Sequence, residues 1–290
     1  MTSTSEALEA STPAVTAPPQ KHILISGAAQ GIGRCLTRHF LQKGHRVFIL
    51  DYNKDELEYT ANTHLHQYVT NRALGWSLCN LRSIDDIRKS AKEAADFFEN
   101  RIDVLINNGG ISSPFWKDGK SMDDFDTSSE WQAYVETNLT APFHLSQAVL
   151  PYMKVSKDRA IRKQQRSGSS PCIIHVSSFR MLQSDPNQEG YASTKSGLIG
   201  LTHSMAVSLS EFGIRVNLIA PGRIRVAHEC KKGDDEGLQW SIQEDDAEKF
   251  AANRAGMPED IADCAEWLIG AGFVTGQSIT VDGGATMQKR

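Results

Sequence analysis

The 290-residue sequence predicts an α/β protein, a single doubly wound domain built on a parallel sheet. Three observations carry that expectation. From residue 21 to about residue 286, short apolar runs ending in turn residues alternate with stretches whose apolar residues recur at helical spacing. The first run passes directly into a glycine-rich turn that opens a helix. No internal repeat or unassigned remainder is left to form a second domain.

Composition narrows the function classes. A hydrophobic content of 40% and a charged content of 23% suit a globular core. A net charge of -4 gives no electrostatic footprint for nucleic acid, and no apolar run approaches the ~20 residues a membrane span needs. The cysteines Cys35, Cys79, Cys172, Cys230 and Cys264 are far apart and form no C-x-x-C pair. That spacing favours a reducing compartment and disfavours a zinc site, so no metal is expected. Residues 1–20 are rich in Ser, Thr, Ala and Pro and lack Lys and Arg, unlike a secretory or mitochondrial signal, and read as a disordered leader. Cytoplasm is the expected location by elimination.

In chain order, the first strand is expected over His22 to Ser26 and runs into Gly27-Ala-Ala-Gln30-Gly31-Ile32-Gly33. Glycines let backbone approach a pyrophosphate, and helix N-terminal amides supply the anion's hydrogen bonds. A second strand, Arg46 to Leu50, ends in Asp51, whose carboxylate suits adenosine ribose hydroxyls and opposes a 2′-phosphate. The alternative is that Asp51 only caps the next helix. Further strands are expected over Leu74 to Cys79, Asp103 to Ile106, Cys172 to Val176 and Ile214 to Ile219. Ser83 opens one helix that runs to about Glu99, Thr127-x-x-Glu130 reads as a capping box for another, and Pro258 begins a third.

Chemistry concentrates between Ile173 and Gly197. Tyr191 and Lys195 stand four residues apart before Leu198, Ile199, Leu201, Met205, Ala206 and Leu209, so both fall one turn apart on one helix face. A free phenol, with a pKa near ~10, is a poor base at neutral pH. An ammonium ~4 Å away, at an effective dielectric of ~20, stabilises the phenolate by ~4 kcal/mol, roughly three pKa units. Such a phenol suits general acid/base catalysis. Ser178 ends the apolar run 13 residues before Tyr191 and can bring a hydroxyl beside it.

The Ser178, Tyr191, Lys195 spacing and the G-x-x-x-G-x-G loop resemble those of the short-chain dehydrogenase/reductase family, over about residues 21–286. The resemblance implies a Rossmann-type sheet in the order 3-2-1-4-5-6-7 and a nicotinamide cofactor. It implies that Asn80 meets the adenine amino group, the Leu81 amide meets the ring, and Asn107-Asn108-Gly109-Gly110 stands for the family's N-N-A-G. It makes Asn138 a fourth catalytic residue that distorts its helix and holds a water near Lys195. Ile224 after Pro221-Gly222 would contact the carboxamide, while Val226 lacks the hydroxyl of the Thr frequent there.

Residues 227–256 correspond to a mobile substrate lid. Asp51 and the neutral Gln30 favour NAD, with NADP the less favoured cofactor. The implied activity is oxidoreduction of a secondary alcohol or its ketone. Ser178 polarises the substrate oxygen, Tyr191 exchanges the proton, and Lys195 tunes Tyr191 and binds the nicotinamide ribose. A lyase or isomerase on the same scaffold, or a non-catalytic NAD(P)-binding protein, is the alternative. The partners implied are a small alcohol or ketone and a second copy of the chain, as a homodimer or homotetramer. The acids Asp123, Asp124 and Asp126 and the basic segment Lys154 to Ser170 read as solvated surface.

Overall fold

The computed structural model describes residues 19–153 and 170–287. Most of the leader, most of the basic segment and the last three residues lie outside them. Seven strands form one parallel sheet in the order β3-β2-β1-β4-β5-β6-β7. These are β1 His22–Ser26, β2 Arg46–Asp51, β3 Leu74–Leu78, β4 Val104–Asn107, β5 Cys172–Val176, β6 Arg215–Pro221 and β7 Ser278–Val281. The expected strands all form, with ends displaced by one or two residues.

Both faces of the sheet are covered, which is why its strands read as continuous apolar runs rather than alternating ones. Alternate residues serve opposite faces. Ile23 and Ile25 pack with Leu36, Phe40, Ile261 and Ala265 from helices Gly31–Gln42 and Pro258–Gly270. Leu24, Leu105 and Ile173 pack with Ile87, Ala94, Leu145 and Met205 on the other face, from helices Ile84–Phe97, Ala141–Met153 and Glu189–Ser208. The carboxyl ends of β1, β4 and β5 therefore open at one edge, between the two helical layers. That edge carries the candidate site.

Some local expectations are corrected. Thr127 caps nothing: its hydroxyl donates back to the Asp124 carbonyl at 2.9 Å, and it already has helical backbone angles. The helix Ser128–Tyr134 follows a short 3-10 turn, Phe125–Thr127, so its start is built by the preceding turn rather than by a capping side chain. Glu130, the other half of the expected box, accepts instead from the Lys117 amide at 3.0 Å. Ser83 does cap Ile84–Phe97, accepting from the Asp86 amide at 3.2 Å. The helix expected after Asp51, whose bounds the sequence does not mark, is Lys54–Tyr59; it continues through a π turn, Thr60–His64, and Leu57, Ala61 and Leu65 are buried at four-residue spacing.

Candidate active site

At the end of β1 the chain turns through Gly27 to Gln30 into the helix Gly31–Gln42, whose N-terminus no side chain caps. Uncapped first-turn amides at a positive helix end form an anion site. Gly31 has a left-handed backbone (φ +59°), and a Cβ there would find nothing nearer than Val226 at 3.8 Å. The backbone needs glycine, and a gap remains between this turn and the loop after β6. The Gly31 amide itself donates to the Glu229 carbonyl at 2.7 Å, so the segment after Ile224 closes one side of the gap.

Asp51, at the tip of β2, is 8% exposed and accepts from the amides of Ala29 and Asn53, each at 3.0 Å. It is tied to the glycine turn rather than capping the helix that follows. Asn53 performs that capping, accepting from the Glu56 amide at 3.3 Å. Asn80 is exposed, and its side-chain oxygen accepts from the Arg82 amide at 3.0 Å. The Asn108 amide group donates to the Gly27 carbonyl at 2.7 Å and locks the β4 loop to the glycine turn.

The two residues after Asn108 show why this loop tolerates no side chains. A Cβ on Gly109 would lie 2.5 Å from Leu81 Cδ1, so Leu81 fills the space that the family's alanine methyl would occupy. A Cβ on Gly110 would lie 2.9 Å from Asn138 Oδ1 and 3.5 Å from Lys195 Nζ. The loop is a floor laid against two candidate catalytic side chains.

Asn138 lies in a π turn, Val135–Thr140, between helices Ser128–Tyr134 and Ala141–Met153. The expected distortion of the helix is present, and π turns widen a helix where a polar group must be accommodated. Asn138 is 1% exposed, accepts from the Ile111 amide at 2.8 Å and donates to the Ile111 carbonyl at 3.3 Å. Its side chain is thereby fixed in orientation.

Tyr191 and Lys195 project from helix Glu189–Ser208, one turn apart as their spacing predicts. Lys195 Nζ lies 5.6 Å from the centre of the Tyr191 ring and donates to the Val176 carbonyl at 3.1 Å. Burial alone lowers the Lys195 pKa to about 8. Burial raises the Tyr191 phenol above its ordinary value, against the opposing pull of the Ser178 hydroxyl and the Arg180 charge. Ser178 closes β5, is 6% exposed and accepts from the Arg180 amide at 3.2 Å. Ser178, Tyr191, Lys195, Asn138 and Gly110 converge on one spot at the carboxyl edge of the sheet.

Two supports escaped the sequence reading. Trp116, in the connection after Gly110, donates from Nε1 to Glu189 at 2.9 Å and packs edge-on to Tyr134, which packs edge-on to Tyr191. An apolar Trp inside a polar connection was the available signal. The second is a buried charge network. Arg34, 1% exposed, reaches Glu229 at 2.8 Å and Asp234 at 2.7 Å, and Arg38 joins Glu229 to Glu259. The start of the expected lid is thus clamped to the glycine-turn helix. Further along, Arg225 holds Asp246 at 2.8 Å, Phe250 is buried, and Ile242 is 63% exposed.

A family model for short chain dehydrogenases matches residues 21–237. The chain belongs to the short-chain dehydrogenase/reductase family and is an oxidoreductase of that family. Among its relatives, a 3-oxoacyl-(acyl-carrier-protein) reductase of Thermotoga maritima is 32% identical over 266 residues, covering 91% of this chain and 97% of that one. The reductase of the same name from Staphylococcus epidermidis is 32% identical over 271 residues, covering 92% and 99%. Among solved structures, an apo SCOR enzyme from Clostridium thermocellum superposes with a TM-score of 0.73 at 26% identity, covering 93% and 94%. A short chain dehydrogenase from Bacillus anthracis gives 0.71 at 26%, covering 93% and 98%. No helix among the described residues is long and apolar enough to cross a membrane.

Proposed function

We propose that this chain interconverts a secondary alcohol and its ketone with NAD, using Tyr191 as the acid/base group. The observation that carries the reading is the convergence of Ser178, Tyr191, Lys195 and Asn138 beside the glycine-floored groove. The groove fits a dinucleotide: an uncapped helix end for the pyrophosphate, Asp51 for the ribose, and Gly110 giving access to Lys195. When bound, the nicotinamide supplies or accepts the hydride.

The chain's own residues do the rest. Ser178 donates a hydrogen bond to the substrate oxygen and holds it against the phenol. Tyr191 gives that oxygen a proton in reduction and takes it in oxidation. Lys195 holds the nicotinamide ribose, and its positive charge favours the phenolate. Asn138, held by Ile111, positions a water for proton return. Gln30, Ile32, Gly33, Leu81, Asn108 and Ile224 line the cofactor groove, and residues 227–256 cover the substrate. The names of the relatives support a carbonyl substrate of the 3-oxoacyl type as the first to be tried. Exposed Trp131, Phe143 and Val207 on the helices flanking the site support a homodimer or homotetramer.

Titration of the protein with NADH and with NADPH, followed by tryptophan quenching, tests the cofactor assignment. Tighter NADH binding is expected, and preference for NADPH would overturn the role of Asp51. Tyr191→Phe is expected to keep NADH affinity within about twofold while cutting turnover by roughly 10²–10⁴-fold. Retained turnover would remove Tyr191 from the chemistry. Substrate conversion without a change in NADH absorbance would favour a lyase or isomerase.

A further inference from the structure

The loop between Ser178 and Tyr191 carries a charge pair that the acid/base reading does not use. Arg180 is 8% exposed although it bears a full charge, and it sits in the 3-10 turn Phe179–Met181 that leaves β5. Its amide donates to Ser178 Oγ at 3.2 Å, its guanidinium lies 4.7 Å from the centre of the Phe179 ring, and one of its terminal nitrogens pairs with the Asp185 carboxylate. Asp185 is bound in turn to the start of the next helix, its amide donating to Gln188 Oε1 at 3.2 Å. The Gln188 carbonyl accepts from the Ala192 amide at 2.8 Å, in the first turn beside Tyr191. One continuous path, from Ser178 through Arg180, Asp185 and Gln188 to Ala192, therefore spans the loop and joins the hydroxyl to the base of the phenol's helix.

Electrostatics follows the same path. The titratable and charged groups that face Tyr191 from the elements packed on it, among the described residues, are Lys195 on its own helix, Tyr134 across the ring contact, and Arg180 with its partner Asp185. Glu189 is turned away onto Trp116. Lys195 stands over the ring with its ammonium given to a backbone carbonyl. Arg180 is a second cation near the phenol, and its charge, with the Ser178 hydroxyl, opposes the effect of burial. A guanidinium holds its charge at every accessible pH, so its field depends on the carboxylate beside it.

Resting on the assignment of Tyr191 as the acid/base group, we propose that Arg180 is a positioning residue, holding Ser178 against Tyr191 and setting the electrostatic potential at the phenol, with Asp185 attenuating that potential. A support that acted through shape alone would respond alike to loss of either partner. A field makes the two responses opposite: removing Arg180 removes the cation, whereas neutralising Asp185 leaves the cation stronger.

The test is the Tyr191 titration itself, which needs no substrate. The protein is labelled with ¹³C at tyrosine Cζ, and the Tyr191 signal is assigned from its disappearance in Tyr191→Phe. It is then followed against pH in the wild type, Arg180→Gln, Arg180→Lys and Asp185→Asn, with NADH affinity as the check that each variant is folded. Arg180→Gln is expected to raise the midpoint by about one pH unit, Asp185→Asn to lower it by about half a unit, and Arg180→Lys to hold it within roughly 0.3 unit. An unmoved midpoint in a folded Arg180→Gln protein overturns the proposal. So does an upward shift in Asp185→Asn, which would mark the pair as loop support only. Opposite shifts sustain it even if Tyr191→Phe retains turnover, in which case the acid/base assignment alone fails.

Discussion

Two buried cations in this chain are treated in opposite ways. Arg34, 1% exposed, is saturated by Glu229 and Asp234 and by the His228 carbonyl. Burial pushes the Glu229 carboxyl up, but the hydrogen bonds and charges of Arg38 and Arg34 prevail and hold it below its ordinary value. Lys195, 6% exposed, gives its ammonium to the Val176 backbone carbonyl and meets no carboxylate among the described residues, and burial lowers its pKa to about 8. Charge that is fully matched is structure: it clamps residues 228–234 to the glycine-turn helix. Charge left unmatched costs stability, and such groups cluster where chemistry is done.

The largest effects should separate these two sites. Lys195→Met is expected to lower turnover by roughly 10²–10⁴-fold and to leave the protein at least as stable as the wild type. The reason is linkage. The folded pKa of about 8 lies below the ordinary 10.5, so the unfolded chain holds this proton more tightly and folding at neutral pH is penalised by up to ~3 kcal/mol. Arg34→Met should do the reverse, destabilising by about 3–5 kcal/mol, because it strands the Glu229 carboxylate with Arg38 alone. Denaturant melts with NADH binding read both. A Lys195→Met protein markedly less stable than the wild type would break the contrast.

His175 sharpens the comparison as a buried base that meets no charge partner among the described residues. It lies in β5, is 0% exposed, touches Asn107 at 3.2 Å through Nδ1, and its Nε2 has no hydrogen-bond partner among the described residues. Burial lowers its pKa from 6.5 to about 4. The unfolded state then binds the extra proton between those values. Stability from this residue is fully present above pH ~6.5 and falls as pH drops towards ~4, by up to about 3 kcal/mol. Melts of the wild type and His175→Asn across that range should diverge, the variant losing less as the pH falls. Parallel curves would show that the site charges without cost.

These contrasts also show what the sequence made legible. The strands and the grouping of Ser178, Tyr191 and Lys195 follow from local signals, apolar runs, a glycine turn and one helical spacing, whereas the sheet order and Asn138 come only with the family resemblance. The pairings of Arg34 with Glu229 and of Trp116 with Glu189 join residues far apart in the chain, and no local pattern marks them. Asn80 illustrates a related limit. Its side chain also closes a turn onto the Arg82 amide, a partner set by backbone path that the residue type alone does not name. The spacing of Tyr191 and Lys195 fixes their shared helix face but not the rotamer of a long side chain, which here carries the ammonium to the Val176 carbonyl.

Helix starts give the smallest and cleanest test of that limit. Ser83 and Thr127 both look like caps, each followed three residues later by an acid. Only Ser83 has the extended backbone of a cap (φ -107°, ψ 114°), whereas Thr127 (φ -75°, ψ -9°) is already turning. A cap hydroxyl reaches the amide of the third residue only from the extended conformation. Ser83→Ala should therefore cost about 1 kcal/mol. Thr127→Ala, which loses one exposed bond to the Asp124 carbonyl, should fall within about 0.5 kcal/mol of the wild type. Equal losses at the two positions would mean that Thr127 caps its helix in solution, and that the sequence pattern was the better guide there.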